Sequence, residues 1–207
     1  MTYTPDTPIA ACARPLAPAA KAAIVDAIAA RPNGAYDAAD IRTIVLAYDR
    51  HCELAGMDPL PPIAQCLHET GWLSSWWSER PRRNPAGIGV TGRSSANTTW
   101  RMRDGRPIGI DAAERHGIWI EGCSFPSWAN HAVPAHVGRL LAYALRPETG
   151  TPAQQQLVRV ALIARPLPQR LRGVAPTWRG LNGRWAVPGT DYADKVAAIA
   201  NHLWGES

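Results

Sequence analysis

The sequence is poor in lysine and phenylalanine, and it contains no long apolar run. Its fully apolar stretches are only a few residues long, whereas a membrane helix needs about 20 and a secretory leader needs an apolar stretch behind a basic start. MTYTPDTPIAACARPL at the amino end offers neither. The expectation is a protein made in the cytoplasm as a soluble chain, without membrane insertion, that reaches any target beyond the membrane only by being carried or released. Cys12, Cys52, Cys66 and Cys123 form no CxxC pair, so reduced, mostly buried thiols are expected rather than disulfides. His68-Glu69 begins like a zinc-protease helix, but HExxH requires histidine at position 72, which is Trp72. His131 and His136 are five apart, a spacing that does not put both on one helical face, so surface or core histidines are expected rather than a metal pair. No glycine-rich phosphate loop, G-x-S-x-G elbow, repeat or low-complexity tract is present. No metal and no cofactor is therefore expected.

What is there is a globular balance. The 207 residues are 46% hydrophobic and 19% charged, and a folded chain of this length buries roughly 70% of its extended surface. One domain is expected, over 18–207, behind an irregular arm at 1–17 that carries Pro5, Pro8 and Pro15 without periodicity. The 22 cations exceed the 17 anions by five, and only Lys21 and Lys195 are lysines. Arginine's planar fork matches carboxylate and phosphate, so such a surface suits an anionic polymer, a nucleic acid or a bacterial wall. A GC-rich codon bias would give the same excess. The arginines are scattered rather than gathered on one helix, which disfavours nucleic acid. Nine tryptophans stand beside one phenylalanine. Trp72, Trp76 and Trp77 lie among Ser74, Ser75 and Ser78, a setting that points to a cleft for flat rings, bases or sugars.

Periodicity predicts helices over about 19–30, over 37–55 with Asp37 and Asp40 as a capping pair, and over 58–70 behind Pro59. Gly71 stops the third helix and leaves Glu69 in its last turn. Residues 86–124 predict a small β lobe, with short strands at Ile88–Thr91, Thr98–Met102, Arg106–Ile110 and Ile118–Ile120 and a hairpin signal at Asp104-Gly105. Helical spacing returns from Ser127, with Pro134 splitting the element, then over 153–164 and 191–204. Between the last two runs a long irregular loop carries Trp178 and Trp185, and loops of that length usually serve a site. Helices, a small β lobe and helices again is the order of an α+β domain with a cleft between lobes.

Glu69 ends a helix, precedes Gly71-Trp72 and flanks the apolar stripe of Ile63, Cys66 and Leu67. A carboxyl group against indole and away from water has its neutral form favoured, so its pKa rises toward the value a general acid needs. Such an acid can protonate a glycosidic oxygen. A solvated glutamate in a last turn is the plain structural alternative.

Ile63-Ala64-Gln65-Cys66-Leu67-His68-Glu69-Thr70-Gly71-Trp72-Leu73-Ser74-Ser75 resembles the A-x-x-x-x-E-[ST]-[GA]-x-x-x-S helix of the glucosaminidase family of peptidoglycan hydrolases (glycoside hydrolase family 73). Arg83-Asn84-Pro85-Ala86-Gly87-Ile88-Gly89-Val90 is similar to that family's N-N-x-F-G-I-K block. Phe125-Pro126-Ser127-Trp128, with Val133, His136 and Leu140-Leu141, resembles F-R-x-Y followed by S-[IV]-x-D-H-x-x-x-L-L. Trp185-Ala186-Val187-Pro188-Gly189-Thr190-Asp191-Tyr192-Ala193-Asp194-Lys195-Val196 resembles the terminal Y-A-T-D-P-x-Y-A-x-K-[IV]. Four blocks in order cover about residues 40–204. The resemblance implies a mainly helical, lysozyme-like α+β fold whose small β lobe flanks the substrate cleft. It also implies endo-β-N-acetylglucosaminidase chemistry on peptidoglycan glycan strands, with Glu69 as acid. Phage endolysins and other lysins are the contexts that fit a chain without a leader, and a monomer is expected.

Departures from the family pattern bear on mechanism. Where many members carry a second glutamate in a T-T-E-Y stretch, this chain has Thr98-Thr99-Trp100-Arg101. A pair of carboxylates needs a second oxygen base within about 5 to 9.5 Å. Asp104, Asp111, Glu114 and Glu121 share the lobe, and Glu114 is the second-acid candidate. Otherwise the substrate's N-acetyl group attacks its own anomeric carbon. Trp72, Trp76, Trp77, Asn84, Trp100, Trp128, Trp185 and Tyr192 are the candidate substrate-binding residues, with Asn84 equally able to cap a turn. The alternatives are an inactive wall-binding module and a muramidase or lytic transglycosylase on the same fold.

Overall fold

The computed structural model describes residues 2–10, 13–31, 36–96, 112–187 and 189–205. Six α-helices make up most of the regular structure among the described residues: α1 (Pro18–Ala29), α2 (Ala38–Ala55), α3 (Leu60–Thr70), α4 (Val133–Ala144), α5 (Pro152–Ala164) and α6 (Tyr192–Gly205). Three short strands, β1 (Ser94–Ser95), β2 (Ala112–Arg115) and β3 (Ile118–Glu121), form an antiparallel sheet in the order β1-β3-β2. The architecture is mainly helical α+β with a small β lobe, as the element order predicts.

Helix ends follow their sequence signals. Asp37 and Asp40 form a reciprocal capping box on α2, Thr151 and Gln154 form another on α5, and such a cap is worth about 1 kcal/mol. From Ser127 the chain starts as a π-helical turn, Trp128–Ala132, and tightens into α4 at Val133. Pro134 has no N–H to continue the earlier register, so the change of winding falls beside it. α4 and α5 pack closely enough that a Cβ on Gly138 would sit 1.9 Å from the Leu157 carbonyl oxygen. Only glycine permits that crossing. One continuous apolar core runs through all six helices, with Tyr48, Leu140, Leu141, Val196 and Leu203 among its members. The amino-terminal arm is irregular yet packed: Tyr3, Ile9 and Leu16 are buried, and the Ile9 N–H donates to the Pro176 carbonyl over 2.9 Å.

The β lobe departs from its sequence pattern. Ile88–Thr91 forms turns rather than a strand, because Gly87 and Gly89 both take positive φ, which no strand accommodates. Ala112–Arg115, which reads in sequence as a connection between strands, is β2 itself, and the turn is His116-Gly117. Thr98–Met102, Arg106–Ile110 and the Asp104-Gly105 signal lie outside the described residues. Cys52, Cys66 and Cys123 are free and buried, and Cys12 lies outside the described residues. No described helix is long and apolar enough to cross a membrane.

Candidate active site

α3 presents Gln65 and Glu69 one turn apart, hence on one face. Directly after it the backbone turns left-handed for three residues, Gly71, Trp72 and Leu73 (φ 55°, 60° and 69°). A left-handed tryptophan and leucine are costly. Thr70 holds the turn, its hydroxyl donating to the Cys66 carbonyl at 2.6 Å and accepting the Leu73 N–H at 2.9 Å. The helix therefore stops one residue past Glu69, and the carboxyl group is only partly exposed.

The first residue of α6 meets it there. Tyr192 donates its hydroxyl to Glu69 Oε1 over 2.5 Å and accepts Gln65 Nε2–H at 2.6 Å. Gln65 Oε1 in turn accepts from His136 Nε2 of α4 at 2.8 Å, and His136 Nδ1 meets the Tyr48 hydroxyl of α2 at 2.7 Å. Gln65, His136 and Tyr48 are completely buried. Burial pushes the His136 imidazole down to about 3, so it is neutral, with its one proton on Nε2 and Nδ1 left to accept from Tyr48. Every donor in the row then points toward Glu69, which accepts at its end. The Trp185 indole also lies beside Glu69 and favours its ionised form, and its ring lies 5.7 Å from those of His136 and Tyr143.

Two opposed effects act on the Glu69 carboxyl. Burial raises its pKa, and the Tyr192 hydrogen bond and the Trp185 indole, which favour the ionised form, lower it. Burial is the larger, so the pKa stands above the ordinary carboxylate range. Tyr192, enclosed and beside this carboxylate, is pushed well above the usual phenol value, which keeps it a donor.

Glu69 Oε2 faces Gly87, where a Cβ would stand 3.8 Å away. Gly87 belongs to a loop that Asn84 organises. The Asn84 amide donates to the carbonyls of Ile88 and Cys123, each at 2.9 Å, and its oxygen accepts the N–H groups of Ala86 (3.3 Å) and Ile88 (2.8 Å). With no surface exposed, Asn84 builds the turn and is not placed to meet substrate. Beyond Gly87 and Trp185 a groove of about 400 Å³ opens, walled by residues 86–91 on one side and by Arg139, Tyr143, Arg165 and Pro166 on the other.

The remaining candidates divide. Trp185 and Tyr192 come to Glu69. Trp72 is half-buried, edge-on to His202 of α6 and beneath the Arg31 guanidinium at 3.7 Å. The Trp76 and Trp77 rings meet at 4.9 Å. Trp76 packs under Arg82 and Arg115, and Trp77 lies so close to Gly122 that a Cβ there would come within 2.4 Å of the indole. These two pin the loop after α3 onto the β lobe. Trp128, 6% exposed, is a core residue edge-on to Tyr36, which corrects its assignment to the cleft. Trp100 lies outside the described residues.

Among the β-lobe acids, Glu114 is exposed and its Oε1 accepts the Gly117 N–H at 2.5 Å. It closes the hairpin turn, which leaves the second-acid assignment without geometric support. Glu121 is buried and held by Arg165 (3.1 Å) and the Thr91 hydroxyl (2.5 Å), contacts that keep it below the usual carboxylate range despite burial. Asp104 and Asp111 lie outside the described residues. Among the described residues no group of three or more His, Cys, Asp or Glu side chains could hold a metal ion.

Sequence patterning passed over Gln65 and His136. Gln65 sits four residues before Glu69, and an uncharged polar side chain on the buried face of α3 was the available signal.

No family model matches the chain, and no curated protein matches it. Among solved structures, the crystal structure of the catalytic domain of the autolysin Auto from Listeria monocytogenes is similar at a TM-score of 0.41, with 14% identity over 94% of this chain and 92% of that one.

Proposed function

We propose that the protein is a glycoside hydrolase of the bacterial wall that cleaves peptidoglycan glycan strands in the manner of an endo-β-N-acetylglucosaminidase, with Glu69 as general acid. One observation carries this reading. The four sequence blocks that resemble the glucosaminidase family, separated by up to 127 positions, converge on one carboxyl and the row behind it: Gly87, Trp185 and Tyr192 stand at Glu69, and Gln65 and His136 extend the hydrogen-bonded row from Tyr192. A partly buried carboxyl with a raised pKa, adjoining the Gly87 and Trp185 wall of a groove, has the acidity that protonation of a glycosidic oxygen requires.

In that reaction Glu69 gives its proton to the leaving oxygen as the anomeric C–O bond breaks. With Glu114 closing a turn and Glu121 held by Arg165, the group that meets the anomeric carbon is the substrate's own N-acetyl oxygen, with Asp104 and Asp111 the carboxylate alternatives. Water then completes the hydrolysis and returns the proton to Glu69. Wall action follows release of the protein, as in a phage endolysin. Mass spectrometry of digested peptidoglycan tests the proposal. Reducing N-acetylglucosamine ends support it, reducing muramic or anhydro-muramic ends assign muramidase or transglycosylase chemistry, and binding without any new end leaves a wall-binding module.

A further inference from the structure

The groove beyond Trp185 contains a charge that the cleavage step does not use. Arg139 projects from α4 into it, and its Nη1 donates to the carbonyls of Arg165 (2.7 Å) and Pro166 (3.2 Å) just past the end of α5. The Tyr143 ring, one turn further on α4, lies under it, with its centroid 5.8 Å from the guanidinium carbon. These partners are neutral. The neighbouring guanidinium, Arg165, is paired with Glu121, whereas no described carboxylate pairs with Arg139. A guanidinium drawn out of water without a counter-ion is a standing cost to the fold. It becomes favourable once an anion arrives, and arginine's planar fork suits a carboxylate.

The position of this charge relates it to the site. Trp185 lines the groove and lies beside Glu69, and Gly87 lines the groove and faces Glu69 Oε2. Arg139 therefore lines the same groove as the two residues that adjoin the acid. We propose that the groove walled by Arg139, Tyr143 and Trp185 is a subsite for a carboxylate carried by the glycan next to the bond that is cut, with Arg139 as the recognising cation. This rests on the hydrolase reading and goes beyond it by naming the substrate group that sets specificity. The carboxylate has two sources in wall glycan, the lactyl ether of the sugar and the peptide attached to it.

The test compares three glycans with the intact protein: a peptide-free strand with free lactyl carboxylates, the same strand with its carboxyls reduced to alcohols, and a strand that keeps its peptides. Equilibrium binding and kcat/KM are both measured. The proposal expects the reduced strand to bind and react more weakly than at least one carboxylate strand by about tenfold or more, the scale of one charge-assisted contact. Whichever carboxylate strand shows the preference identifies the source. Arg139→Gln is expected to bring the strands to parity, and Arg139→Lys to retain part of the preference. Equal binding and turnover of all three strands by the native protein overturns the subsite, and that comparison needs no variant to fold. An Arg139→Gln variant that still prefers the carboxylate strands overturns the assignment to Arg139. If no strand is cut yet the carboxylate preference in binding persists, the hydrolase reading fails and the subsite stands.

Discussion

Gln65 and Glu69, one turn apart on α3, grip the same phenol of Tyr192, Gln65 as donor at 2.6 Å and Glu69 as acceptor at 2.5 Å. The arrangement leaves the phenolic hydrogen one destination. With the amide nitrogen of Gln65 donating to the oxygen of Tyr192, the Tyr192 proton goes to Glu69, and the neutral His136 behind Gln65 keeps the amide turned that way. The acid is held from one side by a buried row of hydrogen bonds and stays partly exposed, beside Gly87 and Trp185 of the groove wall.

Replacement of Glu69 by glutamine should lower turnover on wall glycan by at least ~10², the scale of losing a positioned acid. Stability should change in the opposite direction. A carboxyl whose folded pKa is raised binds its proton more tightly in the native state, so its contribution to stability falls as pH rises past the ordinary carboxyl value, and glutamine removes that loss. The variant should melt higher at pH 7, on the order of 2–4 °C per kcal/mol recovered for a chain of this size, with the gain vanishing below about pH 4. A wild-type rate of lysis, or an unchanged melting temperature at pH 7, counts against this account of Glu69.

Tyr192→Phe should move the alkaline limb of activity. The Tyr192 hydroxyl stabilises the ionised carboxyl, so its loss raises the Glu69 pKa further and keeps the acid protonated to higher pH. The pH profile of kcat/KM should show its basic limb shifted upward, together with a lower maximum from looser positioning. A limb that stays in place or moves down argues that Tyr192 does not tune the acid.

Acid should destabilise the protein through His136. Its folded pKa, about 3, lies below the ordinary value of 6.5, so the unfolded chain takes up a proton first as pH falls. The stability associated with the neutral ring is complete above pH 6.5 and is lost progressively toward pH 3. Melting temperatures across that window should fall with pH. His136→Gln, melting lower at pH 7 because the row is broken, should show a flatter slope, and an undiminished slope would assign the acid sensitivity to other groups.

Glu114→Gln should leave turnover within about twofold of the parent, since an exposed turn-closing side chain is a surface contact. Asp104→Asn and Asp111→Asn separate the two routes to the anomeric carbon. Loss by orders of magnitude at one of them assigns that aspartate as the partner, and little loss at either leaves the reaction to the N-acetyl group.

Local chemistry was legible in the sequence. The capping box at Asp37 and Asp40, the proline start and glycine stop of α3, and the change of winding beside Pro134 all appear where periodicity and turn residues put them, because each depends on neighbours within four or five positions. Glu69 was likewise legible as a carboxyl group at a helix end beside apolar residues. The β lobe was read less well. Short apolar pieces between glycines look alike whether they pair or turn, and the positive φ of Gly87 and Gly89 made Ile88–Thr91 a turn.

Only tertiary packing decided which aromatic residues reach the acid. Trp76 and Trp128 are as ring-like in sequence as Trp185, yet one is covered by arginines and another enters the core. Trp185 reaches Glu69 because the loop before α6 folds back over α3. The same distinction applies to Asn84 and His136. Their residue types allow binding or catalysis, and burial assigned them to building the loop and holding Gln65. Side-chain chemistry is written locally and can be read one turn at a time. Burial and hydrogen-bond partners depend on contacts up to 127 residues apart, and those exist only after the chain has closed on itself.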